Sequence, residues 1–300
     1  MNVLILSRNR FLYSTRRLVK ACRMRGHGVQ IANPLAGTLT VGPHGLELTF
    51  EGKPVRCDCM IPRIGHTITD HGLAVVSQIE MMGIPTVNSR NAMYIARDKA
   101  LALQTLASAA LPVPPTAMTR NPVELEQAVE AVGGLPVVLK TIRGTQGIGV
   151  MLLDSMVSLR SIFDTMRSVN QDVMVQKFYT ESAGCDVRVI IIGGRVVAAM
   201  RRHSAQGDFR ANIHRGGKGE MLTLDGKVER LAIAAANVMG LDVAGVDLLE
   251  TNDGPMIIEV NSCPGLEGIE EATGSDIADL IVEHAERMAG AEQADSVVHT

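Results

Sequence analysis

Pro136-Val137-Val138-Leu139-Lys140, then Arg143-Gly144-Thr145-Gln146-Gly147-Ile148-Gly149, then Val150-Met151-Leu152-Leu153 is the stretch on which the fold turns. The two aliphatic runs have the length and residue types of buried strands. The segment between them is a glycine loop joining strand to strand. A dinucleotide-binding or Walker glycine loop must open a helix, so neither applies. Glycines between two strands either make a plain flexible turn or let backbone amides close on a phosphate tail as a flap. Lys140 at the end of the first strand favours the flap, because its ammonium stands beside the same phosphates. Such a flap is expected to be mobile without nucleotide and ordered with it.

Upstream, the pattern alternates strand and helix. Val3-Leu4-Ile5-Leu6, Val29-Gln30-Ile31-Ala32 and Cys59-Met60-Ile61-Pro62 read as strands. A helix capped by Ser14 and ended at Gly26 separates the first two; another, over about 72–82, ends at Gly83 before Pro85-Thr86-Val87-Asn88. This alternation predicts parallel strands with crossover helices. The Gly- and Pro-punctuated stretch 37–56 reads as a small hairpin or a loop. Arg97-Asp98-Lys99 opens an Ala- and Leu-rich helix, and Leu111-Pro112-Val113-Pro114-Pro115-Thr116 is an extended linker. Asn121-Pro122-Val123-Glu124 starts a helix that ends at Gly133-Gly134.

Downstream, a helix over 156–168 and the strand Val173-Met174-Val175-Gln176 precede an antiparallel region. Asp186–Ile192 and Arg195–Arg201 flank a Gly193-Gly194 turn, and Ala244–Leu249 and Pro255–Val260 flank Asn252-Asp253-Gly254. A polar glycine-rich loop covers 204–220 and a helix 226–239. One last helix is expected over 268–288, with a frayed tail from Ala289.

On the second of these hairpins Glu259 and Asn261 are two apart and share a strand face, and Asp247 lies on the partner strand. Glu259 sits inside Met256-Ile257-Ile258-Glu259-Val260, where an uncompensated carboxylate is costly. Three hard oxygen donors on one face suit Mg²⁺ bridging phosphates; a chance spacing is the plainer reading. A cationic set, Arg188, Arg201, Arg202, His203, Arg210, His214 and Arg215, has six of its seven members between 201 and 215, where only Asp208 is acidic. It reads either as a solvated basic loop or as arginine forks for carboxylates or phosphoryl oxygens. On the second reading it forms a cationic groove, in which Arg202 and Arg215 would bind a carboxylate-bearing ligand.

The composition excludes several classes. The 300 residues are 46% hydrophobic and 20% charged, with net charge −3, so the chain is globular, has more than one domain and lacks a global pull toward nucleic acid or anionic lipid. No tryptophan and 3% aromatics supply few base-stacking platforms. The five scattered cysteines read as reduced thiols rather than a zinc site or disulfide framework. Met1–Arg10 lacks the apolar run of a signal peptide and nothing spans a membrane, so a cytoplasmic location is expected.

The strand lysine, the glycine hairpin, Asp186 with Arg188, and Asp247 with Glu259-x-Asn261 resemble the ATP-grasp superfamily. Pro62-Arg-Ile-Gly65, Ala96-Arg-Asp-Lys99, Gly144–Gly149, Gly207–Gly217 and Glu259–Ile269 closely resemble the RimK family of ribosomal-protein-modifying α-L-glutamate ligases, over about residues 1–288. The resemblance implies an α/β chain with α+β lobes: a parallel α/β pre-ATP-grasp domain over 1–92, a central ATP-grasp lobe with the glycine flap over 93–180, a C-terminal lobe with the metal site over 181–288, and a flexible tail over 289–300. It implies that Lys99, Lys140 and the loop residues Gly144, Thr145, Gln146, Gly147 and Gly149 hold ATP phosphates. The Lys177-Phe178 backbone would meet adenine, and Asp186 the ribose. Arg210, Ala211 and Asn212 would line the phosphoryl end, with Arg210, Arg215 and Arg188 catalytic. Asp247, Glu259 and Asn261 would bind two Mg²⁺ or Mn²⁺. The family usually has Glu-Tyr where this chain has Lys177-Phe178, which puts any side-chain contact to adenine in doubt. The implied activity is ATP-dependent addition of L-glutamate, through an acylphosphate, to the acidic C-terminal tail of a small-subunit ribosomal protein or to oligoglutamate. A homo-oligomer without direct nucleic-acid or membrane contact is expected. The rival readings are a ligase joining an amino acid to a small cofactor or biosynthetic carrier, and a non-catalytic nucleotide sensor.

Overall fold

The aliphatic core of strand β1 (Asn2–Ser7) is buried on both faces, the signature of a parallel sheet covered by helices on each side. The computed structural model describes residues 1–142, 149–205, 208–209, 211 and 216–298, the last eight of these as backbone only. After β1 come α1 (Tyr13–Met24), β2 (Gly28–Ala32), β3 (Gly37–Gly42), β4 (Gly45–Phe50), β5 (Lys53–Pro54), β6 (Cys59–Arg63) and α2 (Thr69–Met81). Strands β2, β1 and β6 pair in parallel in that order, as the alternation predicts. The stretch 37–56 resolves into the antiparallel set β3-β4-β5.

The linking helices α3 (Arg90–Arg97) and α4 (Lys99–Ser108) lead into the second sheet. This contains β7 (Thr116–Met118), β8 (Val137–Thr141), β9 (Val150–Leu153) and β10 (Val173–Lys177) in the antiparallel order β7-β10-β8-β9. Helices α5 (Leu125–Ala131) and α6 (Met156–Ser168) bury Leu125, Val129, Leu159 and Phe163 against it. The third sheet is antiparallel, β13-β12-β11-β14-β15. Its strands are β11 (Cys185–Ile192), β12 (Arg195–His203), β13 (Lys218–Met221), β14 (Val243–Thr251) and β15 (Gly254–Asn261). Strand β13 occupies part of the stretch expected to be a loop. Helix α7 (Gly226–Val238) covers one face, with Asp225 capping it through Lys227 N and Val228 N, both at 2.8 Å.

The last expected helix is two: α8 (Glu267–Thr273) and α9 (Ile277–Val298). Gly274, at φ 70°, takes the left-handed C-terminal position between them, where glycine carries no Cβ penalty. The helix α9 then runs past Ala289, where a frayed tail is expected. Ile277, Ile281, Val282 and Ala285 of α9 pack with Leu18 and Cys22 of α1, Ile5 of β1 and Ile190 of β11, so the N-terminal and third sheets share one core. One difference falls at the start of α1. Leu12, not Ser14, takes the N-cap position and offers no side-chain cap, while the Ser14 hydroxyl, inside the first turn, accepts from the Leu266 amide at 3.2 Å across the interface.

Asn88 fastens the same interface. Held at φ 72° and 1% exposed, it donates from Nδ2 to the Val243 and Ser262 carbonyls, both at 2.7 Å, and accepts from Val243 N at 2.9 Å. Asn88→Ala would strand three buried main-chain groups and place alanine in a conformation asparagine tolerates better. A loss of about 3 kcal/mol is expected, read as a lower urea midpoint at unchanged slope. Among the described residues, no helix is long and apolar enough to cross a membrane.

Candidate active site

Strand register sets a row of charges across the third sheet. Asp186 of β11 faces Arg202 of β12, Arg188 of β11 faces Asp247 of β14, Asp247 faces Glu259 of β15, and Gly245 faces Asn261. Arg188 grips Asp247 with Nε at 2.7 Å and Nη2 at 2.6 Å. Arg202 grips Asp186 with Nε at 2.6 Å and Nη2 at 2.7 Å, and its Nη2 also lies 3.0 Å from Asp247 Oδ2. Burial raises the Asp247 carboxyl, but Arg188 and Arg202 more than offset this and hold it below the ordinary carboxylate range. Asp186 ends the other way. Burial outweighs Arg202 and pushes it up to about 6.

The second sheet faces this row. Lys140 of β8 donates to Gln176 Oε1 at 2.7 Å, and Gln176 Nε2 donates to Thr116 Oγ1 at 2.8 Å. Burial lowers the Lys140 ammonium to about 8; the charges of Glu259, Asp186 and Asp247 work against that fall, and Lys99 adds to it. Lys99 begins α4, where Asp98 caps by accepting from Leu101 N at 2.9 Å, and its Nζ lies 3.8 Å from Glu259 Oε1. Lysines from two elements and carboxylates from three strands thus meet between the sheets. Where the glycine loop rejoins β9, Gly149 has φ 74°, and a Cβ there would lie 2.4 Å from Thr141 Oγ1, so only glycine fits.

Asp247, Glu259 and Asn261 lie on paired strands, with Asp247 opposite Glu259 and Gly245 opposite Asn261. Asn261 Nδ2 donates to Asp247 Oδ2 at 3.4 Å and Gly245 O at 3.5 Å, which turns its amide oxygen away from those acceptors. Glu259, with its side chain about one-third exposed, has Lys99 beside it. Two carboxylates and an amide oxygen are the donor chemistry that Mg²⁺ takes with one or two protein carboxylates plus phosphates. They fit such an ion without forming a closed all-protein cage. Among the described residues, no three His, Cys, Asp or Glu side chains cluster as a metal site.

Other expectations need revision. Arg202 does not face an acceptor: it is 7% exposed and bound to two aspartates. Arg201 holds Glu250, with Nη2 at 2.9 Å from both carboxylate oxygens, and His203 Nε2 lies 3.2 Å from Glu220. The acids missing from the 201–215 segment come from other strands of the same sheet, so this part of the expected cationic groove is internally neutralised. Arg188 spends its Nε and Nη2 on Asp247. Of the Lys177-Phe178 pair, the Lys177 amide donates to Pro115 O at 2.9 Å and its ammonium sits 4.7 Å from the Tyr179 ring centre. Phe178 meets Phe209 edge to face, centroids 6.2 Å apart. Ala211 is buried. Arg143–Ile148, Gly207, Arg210, Asn212, His214 and Arg215 lie outside the described residues. Gln176 was legible in the sequence only as a polar residue closing an apolar strand run.

Two family models match in tandem, a RimK pre-ATP-grasp domain over residues 1–93 and a RimK-like ATP-grasp domain over 96–285. A protein of Marinomonas sp. (strain MWYL1) named probable alpha-L-glutamate ligase is 43% identical over 290 residues, 96% of each chain. One of the same name from Aliivibrio fischeri (strain MJ11) is 43% identical over 294 residues, 98% of each chain. In fold, the chain is similar to the ATP-grasp ligase PsnB, solved with a phosphomimetic variant of its minimal precursor, Mg and ADP. The TM-score is 0.74 at 21% identity, covering 96% of this chain and 98% of PsnB. The tandem domains, the charge row between two antiparallel sheets and the near full-length identity lead to one conclusion: the chain belongs to the RimK family of ATP-grasp carboxylate–amine ligases.

Proposed function

We propose that the protein is an α-L-glutamate ligase that uses ATP to join L-glutamate to the C-terminal carboxylate of an acidic protein tail. A small-subunit ribosomal protein is the proposed acceptor, with oligoglutamate as its extended form. The observation that carries this reading is the convergence of Lys140 and Lys99 on Asp247, Glu259 and Asn261 between two sheets. The names of the curated relatives support glutamate as the amino acid added.

Lys140 and Lys99 would neutralise the ATP phosphates, and the 143–149 loop would cover them. Asp186 would meet the ribose with the oxygen lone pairs Arg202 leaves, and the Lys177-Phe178 backbone would border adenine. Asp247, Glu259 and Asn261 would hold two Mg²⁺ or Mn²⁺ ions, which when bound screen the β- and γ-phosphate charge. The acceptor carboxylate attacks the γ-phosphorus and ADP leaves, giving an acylphosphate; the glutamate amine then displaces phosphate and an amide forms. Positioning and charge neutralisation are the protein's whole contribution to such a transfer. Arg188 would act by holding Asp247 in place. Arg210, Ala211 and Asn212 keep the phosphoryl-end roles that the resemblance implies, and Arg215 its catalytic one.

The decisive experiment is mass spectrometry of candidate acceptors after incubation with ATP, Mg²⁺ and glutamate. Added glutamyl units on an acidic C-terminal peptide are expected. Addition only to a small carrier would replace this reading with the rival ligase.

Lys140 gives the site a pH signature. Its pKa near 8 means burial favours the neutral amine, while a bound phosphate favours the ammonium. Nucleotide binding above pH 8 should therefore take up a proton. Affinity should fall up to about tenfold per pH unit beyond that point. Calorimetry of ADP binding in buffers of different ionisation enthalpy measures the uptake; none at pH 9 would remove Lys140 from the phosphate site.

A further inference from the structure

We propose that Arg63 and Arg97 form a carboxylate-binding subsite where the N-terminal sheet meets the segment after Asn261. This rests on the ligase reading above and deepens it by naming what receives a substrate carboxylate.

Arg63 is the last residue of β6, at the C-terminal edge of the parallel sheet, where open α/β sheets form their ligand crevices. Its Nη2 donates to Pro264 O at 2.8 Å. Arg97 ends α3 and donates from Nη2 to Ile64 O and from Nη1 to Thr69 Oγ1 at 3.0 Å and Gly65 O at 3.4 Å; its Nη2 also lies 3.9 Å from Cys263 Sγ. Both guanidiniums therefore meet the same short segment, which begins two residues after Asn261. Lys99, two residues beyond Arg97, reaches Glu259. The pair thus adjoins the phosphoryl end of the site.

Its electrostatics are unbalanced. Every oxygen acceptor of the two guanidiniums is a neutral carbonyl or hydroxyl, and among the described residues neither has a carboxylate within ion-pair distance. Cys263 donates its thiol to Pro62 O at 3.4 Å. Arg97 Nε is buried with no hydrogen-bond partner, alone in this among the described side chains. Burial holds the Arg63 guanidinium below its usual range; Cys263 works against this and the charge of Arg97 adds to it. Half-buried charges and a buried donor in this state cost stability unless a counter-ion arrives. A planar carboxylate is the counter-ion whose shape a guanidinium fork matches. Both substrates of the proposed reaction carry one: the incoming glutamate and the acceptor terminus.

The test uses the full chain with Arg63→Gln, Arg97→Gln and the corresponding lysine variants. KM is measured for ATP, glutamate and an acidic acceptor peptide, with glutamate-dependent thermal stabilisation as a second readout. The glutamine variants should raise KM for one carboxylate substrate about tenfold or more while KM for ATP changes little. The lysine variants, which keep charge but lose the fork, should fall between. They carry the test if the glutamine variants fail to fold. A shift confined to glutamate assigns the subsite to the incoming amino acid, and one confined to the peptide assigns it to the acceptor. Folded lysine or glutamine variants with unchanged KM for both, and with the same glutamate-dependent stabilisation as wild type, would overturn the subsite. A wild-type protein that extends no acceptor would instead strike the ligase reading itself.

Discussion

Glu259→Gln is expected to lower glutamate ligation about a thousandfold, roughly 4 kcal/mol of barrier, while leaving the thermal midpoint near that of wild type. The two halves of this expectation come from one feature. Glu259 is partly exposed and has a lysine 3.8 Å away, so an amide of the same shape leaves no buried charge behind. Yet the carboxylate is one of only two among the proposed metal donors, and its charge helps set the field at Lys140. Asp247→Asn makes the contrast. It should also remove activity, but it leaves Arg188 and Arg202 facing a neutral amide at a site 2% exposed, and should cost about 3–5 kcal/mol of stability. Single-turnover assays across a Mg²⁺ series, with melting curves of both variants, separate the effects. Wild-type rates for Glu259→Gln at saturating Mg²⁺ would discard the metal assignment.

Arg202→Ala should be among the most destabilising substitutions in the chain, by about 3–5 kcal/mol at neutral pH, because it leaves Asp186 without a counter-ion and takes one of two from Asp247. The pH dependence has a definite sign. The folded-state pKa of Asp186, about 6, is already above the ordinary value. Its stabilising form is therefore the protonated one, fully favoured at low pH and lost as pH rises through 6. Removing Arg202 pushes that pKa further up. The deficit of Arg202→Ala relative to wild type should then be smaller at pH 5 than at pH 8, as read from urea midpoints. An equal deficit at both would mean that Asp186 is not the group left exposed to the penalty.

Residue spacing alone carried much of the fold and the site. Short aliphatic runs and glycine or proline stops located the strands, because burial and turn chemistry are written locally. The i, i+2 rule put Glu259 and Asn261 on one face, and a glycine loop between strands excluded the helix-opening phosphate loops. Partnership is different, since it joins residues distant in sequence. Arg201 and Arg202 read as free forks because Glu250, Asp186 and Asp247 arrive from other strands of the sheet, 16 to 49 residues away. Ser14 read as a helix cap, but its hydroxyl accepts from Leu266, 252 positions on. Asn88 stood out only as the residue after Pro85-Thr86-Val87, and its clamp on Val243 and Ser262 exists only once the first and third sheets pack together. The sequence by itself determined which residues carry charge and which stretches form strands. Only the tertiary structure decided which charges cancel and which, at Arg63 and Arg97, are left for a substrate, because compensation depends on distances of a few ångströms that sequence separation does not encode.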